Sequence, residues 1–142
     1  MMGIFDTLFG RQERRPTPLD EARSLIERFS TATLAGVDAE DIGRYPPKQR
    51  QAMAFHFGAI RHLAAEFTLD ETQTLALFVM FLNRYFKLPV RETGSISELL
   101  EGFQSDPREH HCLEAGEDAF RRWHLENDRR APLELGELLK RA

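Results

Sequence analysis

His56 is the side chain of this 142-residue chain whose surroundings most suggest chemistry. By helical spacing it falls mid-face among Ala52, Ile60, Leu63 and Phe67. An imidazole in apolar surroundings must find a partner or stay neutral. In a cleft it would be a pH-sensitive or catalytic group; on a packed face it is a core histidine bonded to a carbonyl or water. No Ser or Cys adjoins it in sequence as a nucleophile.

The helix-forming stretch 107–127 is the next candidate. His110, Glu117 and His124 recur every seven residues along one edge of its apolar face, flanked by Glu114 and Arg121. His62 and Glu66, His110 and Glu114, and His124 and Asp128 are each four residues apart, within touching distance on a helix. Two imidazoles and a carboxylate can hold zinc or non-haem iron. His110 and His124, however, are about 21 Å apart on a straight helix and cannot share an ion. A metal would need a ligand from another helix, such as His62 or Glu66, and no Glu-x-x-His bundle pattern is present. Ordinary surface pairs explain the same spacings. His110, His111 and Cys112 diverge by about 100° per residue, so they form no ligand cluster. Cys112 instead aligns with Gly116, Ala119 and Trp123 as a small buried hydrophobe. Phosphate-loop, Gly-x-Ser-x-Gly and His-Glu-x-x-His motifs are absent, so neither metal nor cofactor is expected.

Two apolar stretches suggest contact surfaces. Ile4, Phe5, Leu8 and Phe9 share one side of a short amino-terminal segment, followed by Arg11, Arg14 and Arg15. Such a segment can lie on a membrane surface, enter a partner's groove or pack on the protein's own core. Met80, Asn83 and Lys87 share a side with Thr72 and Ala76 on a later helix. Either this stripe is a contact surface or it is an ordinary solvated face.

The elements that must position these residues read as helices throughout. Pro16 and Pro18 divide residues 1–15, an amphipathic segment, from a domain over 16–142. Helices are predicted from Thr17 to Leu34, briefly over 38–44, from Lys48 to Phe67 and from Leu69 to Leu88. Further ones start at the Ser95–Glu98 capping box, at Asp106-Pro107 and at Pro132. The 48–67 helix carries a second strip of small residues (Ala54, Gly58, Ala65) where another backbone can approach. Leu75 to Leu82 is an unbroken apolar run, so the helix over 69–88, started by a capping box at Thr68 and Glu71, is expected to be wrapped by its neighbours. Period-two patterns are lacking. The expectation is an all-α, single-domain irregular bundle of five or six helices around a central, mostly buried helix at about 69–88.

Composition narrows the function classes. The 42% apolar content, with 11 Phe, supports a genuine core, and a net charge of −4 argues against nucleic acid and towards a basic protein partner. One cysteine fits a reducing compartment, and 16 Arg against 3 Lys suits a GC-rich bacterial genome. No signal peptide or membrane-length apolar run is seen, so the expected location is cytoplasmic. The favoured function is non-enzymatic binding of another protein, as an adaptor, regulator, or immunity- or chaperone-type binder, with a homodimer also compatible. Two alternatives compete: a helical enzyme or metal-binding protein using His56, or His62 and Glu66, with the 107–127 helix; and a membrane-surface protein anchored by residues 4–15.

Overall fold

The computed structural model describes residues 17–86 and 93–140. Among them there are helices and no strands. The expected all-α bundle is what the chain forms.

Side-chain hydrogen bonds cap the starts of four of the helices. In α1 (Pro18–Ala35) the Thr17 hydroxyl accepts from the Asp20 amide, and the Asp20 carboxylate accepts from the Thr17 amide. Pro18 sits in the first turn, where its missing N–H is not needed. Asp38 caps the short α2 (Ala39–Arg44), and Asp106 caps α6 (Pro107–Leu125). Between these lie α3 (Pro46–Glu66), α4 (Glu71–Tyr85) and α5 (Thr93–Ser105), which begins two residues before the expected Ser95 cap. A 3₁₀ turn at Ala131–Leu133 leads into α7 (Glu134–Lys140).

The expected Thr68–Glu71 capping box does not form, because Thr68 is used to end α3. It takes a left-handed conformation (φ 53°), its amide donating to Ala65 O and the Leu69 amide to Ala64 O. That pairing reverses the chain within two residues. Asp70 and Gln73 then form the reciprocal box that starts α4.

The centre of the bundle is the pair α3 and α6 rather than the 69–88 segment alone. Every residue from Gln51 to Ile60 is buried. The two helices run parallel: Arg50 meets Glu109 at one end, and Glu66 meets His124 at the other. Between them Gly58 lies on the Leu113 carbonyl, and Gly116 lies on the Phe55 carbonyl. A Cβ at either glycine would overlap the opposing oxygen, so the small-residue strip predicted at Gly58 is a backbone-to-backbone contact. Around this pair five phenylalanines are fully enclosed: Phe29 of α1, Phe55 of α3, Phe78 of α4, Phe103 of α5 and Phe120 of α6. Each contributes on the order of 1.5–3 kcal/mol by leaving water.

The apolar run of α4 is covered on one side. Leu77, Phe78, Phe81 and Leu82 are buried, Leu75 and Val79 are half-buried, and Met80 is exposed. Side-chain size explains why α4 is not the innermost helix. The closest approach goes to helices whose contact faces are glycine and alanine, while a face of Leu, Val and Met holds a neighbour further off.

Candidate functional site

His56 is fully buried on α3. Its Nδ1 lies 2.9 Å from Ala52 O, and since a carbonyl can only accept, Nδ1 carries the proton. Its ring stacks on Phe81 at 4.3 Å between centroids and meets Phe29 and Phe55 edge-on. Burial pushes its pKa down to about 4, against the opposing effect of the Ala52 carbonyl. The imidazole is therefore neutral at pH 7. Nε2 has no partner among the described residues, and the buried Ser30 and Thr33 hydroxyls also lack one. None of these atoms is bonded to another, so there is no Ser–His or Thr–His relay. His56 is the core histidine bonded to a carbonyl.

His62 and Glu66 come together as their spacing predicts, but with an addition. Glu66 is held between two imidazoles, its Oε2 2.9 Å from His62 Nε2 and its Oε1 2.8 Å from His124 Nδ1. His124 thus reaches across to α3 rather than pairing with Asp128, which takes Arg122 instead. This His–Glu–His bridge ties the carboxyl-terminal ends of α3 and α6 together. The two nitrogens meet opposite carboxylate oxygens, so the Glu66 carboxylate fills the space an ion would need. Among the described residues no group of three His, Cys, Asp or Glu converges on a metal position. His110 pairs with Glu114 at 3.3 Å and also approaches the Phe103 carbonyl, and Cys112 is buried as expected. Burial, and then the nearby Glu109 and Asp106 carboxylates, raise the Cys112 thiol to about 11.

Two ion-pair systems reach beyond local spacing: Arg50 pairs with Glu109, 59 residues away, and Arg122 adds Asp128 and Glu134, 6 and 12 residues away, to its i,i+4 pair with Asp118. Arg50 Nε donates to the buried Glu109 at 2.8 Å, an interaction that raises the arginine's pKa. Arg122 donates to Asp118, Asp128 and Glu134, which fastens the 126–134 turn and raises the Arg122 pKa. Both are structural ties across the bundle.

Among the surface clefts of the described residues, one of about 170 Å³ lies at the junction of α1 with α4. Ile26, Leu77 and Phe81 line it, with Met80 at its edge. Ser30 and Tyr85 are also among its lining residues, and the hydroxyl oxygens of both are buried without a hydrogen-bond partner among the described residues. Arg23, Glu27 and Arg84 supply its charges. Sequence reading found Met80 and Asn83 as a stripe, and both are exposed on α4. It missed Ser30 and Tyr85, since a lone serine inside an amphipathic helix carries no mark of where its hydroxyl points.

Of the remaining expected contact residues, Lys87 and the segment with Ile4, Phe5, Leu8 and Phe9 lie outside the described residues, as does the proposed 1–15 boundary. Among the described residues no helix is long and apolar enough to cross a membrane. Compared with protein-family models, with curated proteins and with solved structures, the chain finds no match in any of the three.

Proposed function

We propose that this protein is a non-enzymatic helical binder that docks an apolar segment of a partner protein across α1 and α4, as an adaptor, regulator, or immunity- or chaperone-type protein of the cytoplasm. One observation supports the reading. Met80, 42% exposed, stands on a strongly apolar helix beside a cleft walled by Ile26, Leu77 and Phe81. Large apolar side chains next to a ready-made cavity are the usual anchor points of helix-in-groove recognition. His56, His62, His110, His124 and Cys112, by contrast, are engaged in packing or pairing. At long range the net charge of −4 favours a basic partner. At contact, Arg23 and Arg84 on the rim favour a carboxylate.

The test is affinity capture with the wild-type chain and with Met80→Asp. The captured protein is then identified, purified and titrated against both forms. A charge placed at Met80, within the proposed contact, weakens a genuine partner by more than about 10-fold. Equal affinity for both forms refutes docking at α4. Sedimentation of the purified chain covers self-association, where a wild-type dimer dissociated by Met80→Asp would make a second copy the partner.

A further inference from the structure

We propose that the α1–α4 cleft is covered in the unbound protein by the chain's own amino-terminal segment, with Ile4, Phe5, Leu8 and Phe9 lying along the cleft and over Met80. A partner docking at the same place must displace that segment; the intramolecular contact itself does not depend on any partner.

Tether length selects this cleft. The described chain begins at Thr17, the cap of α1. Measured along α1 from Thr17, the cleft runs from about 9 Å at Arg23 to about 20 Å at Ser30. Residues 10–16, which join Phe9 to Thr17, span at most about 23–25 Å when extended. Phe9 therefore reaches the whole cleft by folding back along α1. The larger apolar cleft at Leu34, Val37, Ile42 and Phe86, about 340 Å³, begins about 26 Å from Thr17 and would need the tether fully stretched.

The chemistry of the two surfaces matches. Ile26, Leu77 and Phe81 wall the cleft and Met80 stands exposed beside it, a surface that gains by covering four large apolar side chains. The run Ile4-Phe5-Asp6-Thr7-Leu8-Phe9 carries one carboxylate, and Arg23 and Arg84 line the cleft. Its tether holds Arg11, Arg14 and Arg15 against the single Glu13, and it must pass the first turn of α1, where Asp20 and Glu21 are acidic. A segment folded back along α1 meets opposite charge at both places.

A nitroxide attached at Thr7→Cys tests this in the full chain, since the buried Cys112 does not compete for the label. Paramagnetic loss of NMR signal should be greatest at Leu77 and Met80 and weaker at Ile42 and Gly43. Adding Phe5→Asp and Phe9→Asp should restore the lost signals. No loss on α4, a greater loss at Ile42 and Gly43, or a loss that survives the two Asp substitutions overturns the proposal. A mixture of spin-labelled chain with isotope-labelled chain lacking the nitroxide should show no loss; a loss there puts a second copy in the cleft and overturns it as well. If the intramolecular loss is found while Met80→Asp leaves the partner's affinity unchanged, the self-contact stands and partner docking falls. If the loss is absent while Met80→Asp weakens the partner, the self-contact falls and docking stands.

Discussion

Replacing His56 by Phe should flatten the acid side of this protein's stability profile. In the folded chain the imidazole stays neutral down to about pH 4, because the charged form has no water and no second partner inside the Phe29–Phe55–Phe81 cage. In the unfolded chain it takes its proton near 6.5. Between those values the unfolded state holds more protons, so stability rises with pH across the window and falls as pH is lowered through it. The contribution is fully present above 6.5 and lost by about pH 4. A displacement of this size corresponds to about 3 kcal/mol, a large part of the stability of a domain this size. The assay is urea unfolding of wild type and His56→Phe at a series of pH values between these limits. The Phe ring can occupy the same stack on Phe81 but cannot titrate, and the other four histidines are common to both proteins. The wild-type midpoint should fall more steeply with acid than the variant's. If Phe is too large for the site, His56→Leu gives the same comparison. Parallel curves would refute the burial argument.

Three further outcomes follow from the packing. Gly116→Ala should destabilise by about 2 kcal/mol or more in urea unfolding, because the added methyl overlaps the Phe55 carbonyl. Gly43→Ala, a helical glycine with open space around it, should stabilise by about 0.5–1 kcal/mol, and equal effects at the two sites would deny the close α3–α6 contact. Ser30→Ala should stabilise the unbound protein by about 1 kcal/mol in the same assay, since it removes a buried hydroxyl without a partner. A loss of stability would mean that the hydroxyl is bonded. Cys112, buried and raised to about 11, should react with iodoacetamide at neutral pH only as fast as the chain opens, and labelling at the rate of a free thiol would contradict its burial.

How legible each element was depends on the distance over which its cause acts. The starts of α1 at Thr17 and α6 at Asp106 follow from cap and proline within four residues, and both were readable. The start of α4 was not. Thr68 and Asp70 are both good caps, and the choice between them depends on how α3 ends, with Thr68 in the left-handed turn. For the candidate site, the exposure of Met80 and Asn83 was legible as a stripe, and so was the pairing of His62 with Glu66. The reach of His124 to Glu66 and the shared lining of one cleft by Ser30 and Tyr85 each bring together residues more than fifty positions apart, and no local pattern encodes them.

The amino-acid order by itself determined that this chain is helical, where most helices begin, and that His56 and Cys112 face inward. Those outcomes depend on periodicity and capping, which act within a turn or two. Which helices hold the middle was decided only in three dimensions. An apolar count ranks α4 first, but backbones approach most closely where side chains are smallest, and Gly58 and Gly116 therefore bring α3 and α6 together. With that pair at the centre, α4 is left covered on one side, and the cleft beside Met80 follows from the same geometry.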